Sequence, residues 1–299
     1  MDDMITLAAI PPFDLHLTVN VLRRRPSHRA EVFQDCAYRH IFMLEGSPRL
    51  IEIRQIAPEK LVARSLDDTL SYTASRELAN LLTRTLGLQV DLTALQEVFA
   101  RDERLAPLME RVAGMKPPRF ESLWVTLLGI VPFQQVSLDA GTAILNRLLE
   151  QLGPSITFEG REYYTYPSVE RFLTCDTEIL RTCGLSLAKI RTLHSAAEQI
   201  VSGTLSEEEI EPLSDAAALA RLEGLYGVGP WSAHIVLLRG FRRLSVFPPG
   251  DSGVNRNLQR LFNVSPAEVA PFMAKLLDTL GPWRGYLYFV LLAQRLAQE

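Results

Sequence analysis

The sequence predicts an α+β protein in which a small N-terminal antiparallel-sheet domain is followed by a larger, mostly all-α region. Three observations predict this class: strand-like alternation is confined to the first part of the chain, helical spacing dominates after it, and short Gly/Pro breaks separate the helical segments. With 47% apolar and 22% charged residues, the composition is that of a soluble globular protein. We place the boundary at residue 100, which gives domains 1–100 and 101–299.

Two segments carry the strand prediction in the first domain. Residues 17–21 alternate between apolar and polar and are interpreted as a strand, and much of the longer stretch 38–56 is strand-like. A Gly-Ser-Pro turn that begins at Gly46 divides this stretch, and beyond it Ile51 and Ile53 alternate with charged residues. This pattern predicts a hairpin in an antiparallel sheet with one face exposed to water.

Helical periodicity replaces strand alternation after Ser65. It is clear in residues 75–82, and from there helical patterns dominate to the C-terminus. The second domain is therefore expected to be built from helices.

The net charge of −4 and the pI of about 5.8 do not indicate a nucleic-acid-binding protein, which usually carries a basic face. No apolar run is long enough to cross a bilayer. The chain opens with Met1-Asp2-Asp3, where a signal peptide would carry basic residues. We therefore expect a cytoplasmic protein without a membrane partner. Because the overall charge does not favour DNA binding, any role with DNA must be argued from local chemistry.

The three cysteines, Cys36, Cys175 and Cys183, are odd in number and irregularly spaced. Such a set argues against a disulfide framework, and the spacing does not fit a zinc-binding pair. We interpret all three as small core or surface residues.

The most informative stretch, residues 221–262, begins with two helical segments joined by Leu-Tyr-Gly-Val-Gly. Gly227 and Gly229 allow a tight turn and leave the backbone bare, and Pro230 suits the first position of the next helix. Amides at such a helix start point outward together and suit a phosphate. The hairpin could hold DNA through its backbone without a strongly basic surface, although an ordinary helix-turn-helix connection fits the same residues.

The segment after the second helix adds a further feature. Val246 and Phe247 indicate a short buried segment, and the Pro-Pro-Gly sequence that follows makes a stiff turn. Asp251 then opens a new helix.

In this combination the chain resembles the helix-hairpin-helix (HhH-GPD) DNA glycosylase superfamily, most closely its 3-methyladenine DNA glycosylase II (AlkA-like) branch. That family has Leu-x-Gly-[Val/Ile]-Gly, two residues and Ser/Thr-Ala, then a Val-Phe turn with proline before the catalytic acid; residues 225–233 and 246–251 match. A weaker likeness covers nearly the whole chain, including residues 134–137 and 282–286. Residues 11–14 are similar to the start of the branch's extra β-rich, TBP-like domain.

The resemblance implies a DNA glycosylase of base excision repair. Its substrates would be flipped-out alkylated purines of the 3-methyladenine and 7-methylguanine type, and its product an abasic site. Breaking the bond builds positive charge on the sugar, which a buried carboxylate can stabilise while it orients water. The resemblance gives this role to Asp251. By position alone Asp251 would simply cap its helix, and the two roles can coexist.

Trp231 occupies the position where relatives that also cut the DNA backbone carry a lysine. A Schiff base requires an amine, so AP-lyase activity is not expected. The indole could instead stack on the flipped-out base, and a cationic alkylated base would gain a cation–π attraction. Packing of the hairpin is the alternative role for this side chain.

The same resemblance implies a base pocket and a DNA-contacting surface. The expected base-binding residues are Trp231, Gln134, Phe133 and Tyr164, although the tyrosines around Tyr164 are equally compatible with packing. The expected DNA contacts are Gly227, Val228, Gly229, Trp231, Ser232 and Arg256.

The chain departs from the branch at several pocket positions. Ile235 and Leu292 stand where aromatic residues are common, and Gly250 takes the place of a frequent second acid. We therefore expect a less aromatic pocket, which leaves the range of lesions open.

In the family the hairpin binds a monovalent cation through main-chain carbonyls. Carried over, the ligands of a possible Na⁺ or K⁺ would be the carbonyl oxygens of Glu223, Leu225 and Val228. No cofactor is otherwise required, and no iron–sulfur cluster is expected because no cysteine follows Cys183. The expected partner is duplex DNA with a damaged base, bound by a monomer.

Three other functions fit parts of the sequence. The residues 250–253, Gly-Asp-Ser-Gly, resemble the nucleophile segment of trypsin-like proteases, but they lie among helices and no histidine sits in a supporting motif. A glycosylase for oxidised or deaminated bases stays open, as does a non-catalytic DNA-binding protein that has kept the hairpin.

Overall fold

The predicted α+β class is confirmed. The structure, a computed structural model, describes residues 4–296, so Met1-Asp2-Asp3 of the localisation argument lie outside the described residues. The first domain contains a five-stranded sheet in the order β1-β5-β4-β3-β2, in which every neighbouring pair is antiparallel. Its strands are β1 (Ile5–Ala8), β2 (Val32–Gln34), β3 (Ala37–Leu44), β4 (Ser47–Ala57) and β5 (Lys60–Ser65).

The predicted hairpin is the β3–β4 pair. Its turn residues Glu45 and Gly46 both have positive φ, at 50° and 75°, which is the backbone that a two-residue hairpin turn requires. Ile51 and Ile53 on β4 are fully buried against the core.

The strand expected at residues 17–21 is wrong, because these residues form the middle of helix α1 (Leu15–Arg23). Asp14 caps this helix by accepting a 2.7 Å hydrogen bond from the backbone N–H of Leu17. The buried positions Leu15, Thr18, Val19 and Leu22 follow a helical spacing. A five-residue window matched alternation by chance, whereas the capped nine-residue segment has the helical period.

The remaining helices pack with α1 and the inner face of the sheet around one continuous hydrophobic core. None of the described helices is both long enough and apolar enough to cross a membrane. The helices are α2 (Tyr72–Leu86), α3 (Thr93–Ala100), α4 (Ala106–Arg111), α5 (Leu123–Leu128), α6 (Leu138–Leu152), α7 (Val169–Leu173), α8 (Thr177–Thr182), α9 (Leu187–Val201), α10 (Glu207–Ile210), α11 (Asp215–Glu223), α12 (Pro230–Gly240), α13 (Ser252–Phe262), α14 (Val269–Leu280) and α15 (Arg284–Leu296).

The second domain also contains a two-stranded hairpin, β6 (Ser155–Phe158) and β7 (Arg161–Tyr164), which helical periodicity did not predict. This hairpin packs on the outer face of the sheet, where Tyr163 joins a second buried cluster with Ile41 and Leu50. The expectation that this face is exposed to water is therefore wrong in part. The β6–β7 hairpin covers part of it, and even Glu52 is only 2% exposed, held by Arg39, Arg54 and Arg64.

Buried polar contacts join the two parts of the chain. The Arg239 guanidinium on α12 donates to the carbonyl oxygens of Val21 and Leu22 at the end of α1. On β3, His40 Nε2 lies 2.5 Å from Glu121 Oε1 in the segment before α5. The first contact fixes the end of α1 against the helical domain, and the second fixes β3.

Candidate active site

A cavity of about 860 Å³ opens beside the hairpin between α11 and α12. Its walls come from the loop before α6, the start of α12, the start of α13 and one side of α15. Arg24, which follows α1, completes the lining from the first domain. This volume lies within the usual range of small-molecule sites and can receive a nucleobase.

The two glycines of the hairpin serve different purposes. Gly227 has φ +74°, and a Cβ atom there would lie 1.9 Å from Oγ1 of Thr192, so both the backbone and the space require glycine. Gly229 is extended, and a Cβ atom there would meet nothing within 4 Å. Gly227 therefore shapes the turn, while Gly229 keeps the outer surface of the loop bare.

The second hairpin helix begins as the sequence predicts, with Pro230 at its first position. No side chain caps the N-terminus of α12, so its first-turn amides have no side-chain acceptor. Together with the bare surface at Gly229, this helix start can accept an anionic oxygen from outside the protein.

Asp251 lies on the cavity wall as the residue that caps α13. Its Oδ1 accepts hydrogen bonds from the backbone N–H groups of Gly253 and Val254 at 2.8 and 2.9 Å. The Pro-Pro-Gly turn before it ends at Gly250, with φ +66°. Capping therefore uses Oδ1 and leaves Oδ2 able to accept a hydrogen bond from another element.

The second oxygen of Asp251 is held by the hairpin. Trp231 donates its indole Nε1–H to Oδ2 of Asp251 at 2.9 Å, and both residues line the cavity. The Trp231 side chain is half-buried and packs against the core. The indole thus packs against the core and also lines the cavity, so its base-stacking role stays a prediction.

Gln134 links the loop before α6 to the hairpin. Its Nε2 donates to the Gly227 carbonyl oxygen at 3.0 Å and to Ser232 Oγ at 2.9 Å. The amide group thus braces the hairpin from the cavity side. Its neighbour Gln135 adopts φ 56° at the cavity mouth.

Phe133 closes the cavity from the same loop. A Cβ atom on Gly141 would come within 2.2 Å of its ring, so the ring packs directly onto the α6 backbone. The guanidinium carbon of Arg24 lies 3.8 Å from the centre of this ring. Phe133 and Arg24 therefore form a stacked pair in the cavity wall.

The other residues that were predicted to contact the base or the DNA lie in different parts of the structure. Ser232 and the exposed Arg256 line the cavity, and Val228 is buried in the hairpin loop. Tyr164 lies on β7, outside the cavity lining, where its hydroxyl donates to the Glu162 carboxylate. Nothing in the structure assigns Tyr164 to a base-binding surface.

Arg24, Asn257 and Tyr288 line the cavity but were not predicted. Arg24 had one signal in the sequence, since it is the middle residue of a run of three arginines that directly follows an apolar segment. Burial, reinforced by the nearby Arg239 charge, lowers the pKa of Arg24 to about 9. Asn257 and Tyr288 lie on ordinary amphipathic helices, so only the packing of α13 and α15 brings them to the site.

The three residues predicted to bind a cation lie in one short segment of the chain. Glu223 ends α11, and Leu225 and Val228 lie in the loop that follows. The Leu225 carbonyl oxygen accepts the Val228 N–H at 3.1 Å, whereas among the described residues the carbonyl oxygens of Glu223 and Val228 receive no backbone hydrogen bond. These two carbonyl oxygens, one at the end of α11 and one in the hairpin loop, are the chemical type that fits a monovalent cation. The described residues hold no group of three or more His, Cys, Asp or Glu side chains placed for a metal ion.

Comparison with known families accounts for both parts of the chain. Residues 128–282 match the model of the HhH-GPD superfamily base excision DNA repair protein family, and residues 4–122 match the AlkA N-terminal domain. The first match contains the hairpin, Trp231 and Asp251.

Individual proteins are similar over two thirds of the chain or more. The DNA-3-methyladenine glycosylase of Bacillus subtilis is 23% identical over 95% of this chain and 93% of its own length. The solved structure of the 3-methyladenine DNA glycosylase from Archaeoglobus fulgidus shares the fold, with a TM-score of 0.80, 22% identity and 98% coverage of both chains. A 3-methyladenine DNA glycosylase of Schizosaccharomyces pombe, solved in complex with abasic DNA, matches 67% of this chain and 95% of its own at 26% identity and a TM-score of 0.56.

Proposed function

This chain belongs to the HhH-GPD superfamily of base excision DNA repair proteins, and from that premise we propose that it is a monofunctional DNA glycosylase. Its substrate is an alkylated purine, of the 3-methyladenine or 7-methylguanine type, flipped out of duplex DNA. The names of its relatives in Bacillus subtilis and Schizosaccharomyces pombe support this substrate class. The observation that carries the proposal is the carboxylate of Asp251, fixed at the wall of a nucleobase-sized cavity beside the hairpin.

Asp251 supplies the negative charge that the reaction needs. As the C1′–N9 bond lengthens, positive charge spreads over C1′ and the ring oxygen of the sugar. A carboxylate held at the cavity wall stabilises this charge more than it stabilises the neutral sugar of the bound substrate. Because hydrogen bonds already orient both oxygens, the carboxylate does not have to reorganise during the reaction.

Hydrolysis requires no amine from the protein. Trp231 occupies the position from which a lysine would form a Schiff base, and no lysine is among the described residues that line the cavity. The product is therefore an abasic site with an intact backbone. The indole face offers a stacking surface that would attract a cationic base.

The hairpin provides most of the contacts with the DNA backbone. The bare loop at Gly229 and the uncapped start of α12 receive a phosphate, and Arg256 at the cavity mouth adds a positive charge. A monovalent cation on the carbonyl oxygens of Glu223, Leu225 and Val228 would neutralise part of the phosphate charge. We propose that the protein acts as a monomer, since one chain supplies every group named here. We propose chromosomal DNA in the cytoplasm as its place of action.

The test is base release from duplex DNA that contains 7-methylguanine or 3-methyladenine. We expect the wild type to release the base and to leave an abasic site that breaks only after alkali. Borohydride treatment should trap no covalent protein–DNA complex. Strand cleavage without alkali would contradict the monofunctional mechanism, and DNA binding without base release would favour a non-catalytic role.

A further inference from the structure

Arg191 on α9 and Tyr226 in the hairpin loop form a stacked pair on the surface of the protein. The guanidinium carbon of Arg191 lies 4.1 Å from the centre of the Tyr226 ring. Tyr226 is 43% exposed and Arg191 is also exposed, so both groups can be reached from outside. The negative face of an aromatic ring attracts a cation, and the stack therefore fixes where the guanidinium lies.

Helix α9 packs directly against the hairpin, so the stacked pair keeps its place relative to the loop. A Cβ atom at Gly227 would lie 1.9 Å from Oγ1 of Thr192, the residue that follows Arg191. On the same helix, Lys189 Nζ donates to the Pro132 carbonyl oxygen at 3.0 Å and ties α9 to the loop before α6. The Arg191 guanidinium is therefore presented beside the hairpin by two elements that are packed together.

The charge of Arg191 is not neutralised by the described part of the chain. There, no acid lies within ion-pair distance of its guanidinium and no oxygen accepts a hydrogen bond from it. Arginines on the elements before and after it are paired, since Arg181 contacts Glu178 and Arg221 contacts Glu209. Stacking occupies only the face of the Arg191 guanidinium, so the N–H groups at its edge are able to bind an anion.

A phosphate of the DNA backbone is the anion that fits this place. The edge of a guanidinium donates two parallel, charge-assisted hydrogen bonds to two phosphate oxygens. The bare loop at Gly229 and the uncapped start of α12 offer a place for one phosphate, and a strand bound there continues past the hairpin. Its neighbouring phosphates require local positive charge in a protein whose net charge is −4. We propose that Arg191 is a further DNA-binding residue, which takes a backbone phosphate beside the one at the hairpin, and that Tyr226 is its positioning residue.

Tyr226 contributes through the face of its ring. Its hydroxyl makes no hydrogen bond to any residue that the structure describes. Tyr226→Phe keeps the ring face and should retain the wild-type DNA affinity. Tyr226→Leu removes the stack, so Arg191 loses rotamer freedom only when it binds, and we expect binding about two- to threefold weaker. Equal losses in the two variants would overturn the positioning role.

The inference rests on the proposed function, and its test measures DNA binding apart from base release. The association constant for a duplex with an uncleavable abasic-site analogue is measured over a range of NaCl concentrations. Arg76→Met is the matched control for Arg191→Met, because Arg76 is also an exposed arginine near a tyrosine, Tyr72, but lies on α2 against the sheet. In Arg191→Met we expect binding about three- to tenfold weaker and a salt dependence, log K against log salt, that is shallower by about 0.9. Arg76→Met should match the wild type.

The salt dependence decides between a phosphate contact and a packing role. An unchanged slope in Arg191→Met overturns the inference even if affinity falls, because loss of packing does not change the number of phosphates bound. An equal effect in Arg76→Met overturns it too, since a general loss of positive charge then explains the result. Arg191→Lys keeps the charge without the planar fork and should keep the wild-type slope; a loss as large as that in methionine contradicts the charge argument.

Base release from a 7-methylguanine duplex, measured on the same preparations, separates this inference from the proposed function. A wild type that binds the duplex with the predicted Arg191 dependence but releases no base defeats the glycosylase proposal and leaves the phosphate contact standing. Base release by a wild type whose salt dependence is the same with and without Arg191 does the reverse. A wild type that binds no duplex defeats both.

Discussion

The indole N–H of Trp231 and Oδ2 of Asp251 are joined by a 2.9 Å hydrogen bond between the hairpin and the start of α13. The other oxygen of the carboxylate is held by backbone amides of its own helix. Each oxygen is therefore anchored by a different element. The contact couples the element expected to bind DNA to the group expected to act on the sugar.

Replacing Trp231 by phenylalanine removes this hydrogen bond but keeps an aromatic ring. A hydrogen bond to a charged group contributes about 1.5–3 kcal/mol, so we expect Trp231→Phe to lower the single-turnover rate of base release about ten- to a hundredfold. DNA affinity should change little. Trp283→Phe is the control, because Trp283 lies outside the cavity lining, and equal rate losses in both variants would argue against a special Trp231–Asp251 contact.

Gln134 should stabilise the hairpin through its amide. Gln134→Ala removes the bonds to Gly227 and Ser232, and we expect the free energy of unfolding to fall by about 1–2 kcal/mol. Urea unfolding measures this loss, and DNA affinity should fall with it. Gln199→Ala serves as the control, since that amide bonds the Ser195 carbonyl oxygen within its own helix; a similar effect there would show that Gln134 has no bracing role.

The two hairpin glycines should respond differently to alanine. In Gly227→Ala the positive φ and the contact with Thr192 should reduce the free energy of unfolding by about 2 kcal/mol or more. Gly229→Ala should change stability by less than about 0.5 kcal/mol, because the backbone is extended and the space open.

DNA affinity separates the two glycines further. The added methyl group at Gly229 covers the bare loop surface, so we expect weaker binding of duplex DNA without a change in thermal stability. A Gly229→Ala variant with unchanged affinity would show that the phosphate does not approach this loop.

The contact between His40 and Glu121 should make the free energy of unfolding fall as the pH becomes alkaline. Burial disfavours the imidazolium, but Glu31 and Glu121 outweigh that effect and raise the pKa of His40 to about 9. A pKa raised above the unfolded value gives stability that is complete below the unfolded pKa and is lost as the pH rises through the folded pKa. We expect the wild type to lose roughly 1–3 kcal/mol between about pH 6.5 and 9.5.

The matching measurement is chemical unfolding across this pH range. His40→Gln should be less stable than the wild type at the lower end and should lose less of its stability as the pH rises. His16→Gln, at an exposed histidine on α1, should follow the wild-type curve. Parallel curves for all three proteins would contradict the assignment.

The sequence was most informative where local chemistry determines the backbone. The hairpin, the proline at the start of α12 and the cap at Asp251 follow from glycine, proline and aspartate preferences that act within a few residues. Their spacing also carried the family resemblance. The class and the course of the chain around the site could therefore be predicted.

Contacts between distant segments could not be predicted in this way. Arg24 reaches the cavity because Arg239 on α12 holds the end of α1 through hydrogen bonds that join residues more than 200 positions apart. The place of Tyr164 depends on the β6–β7 hairpin, which folds onto the sheet of the other domain. The short window 17–21 suggested a strand because its helical period appears only over the full length of α1.

The most direct test of Asp251 separates charge from capping. Asp251→Asn keeps an oxygen for the Gly253 and Val254 amides, so the cap persists. It removes the negative charge and puts an NH2 group, which cannot accept the Trp231 N–H, in the place of Oδ2, so the proposed catalytic group is lost together with that contact. Asp176→Asn is the matched control, since Asp176 caps α8 away from the cavity.

The decisive measurement is the single-turnover rate of 7-methylguanine release by these two variants, with DNA affinity and thermal unfolding recorded alongside. We predict that Asp251→Asn keeps its fold and its DNA binding but loses activity about a hundredfold or more, while Asp176→Asn matches the wild type. An Asp251→Asn protein that releases the base at the wild-type rate would show that Asp251 only caps its helix.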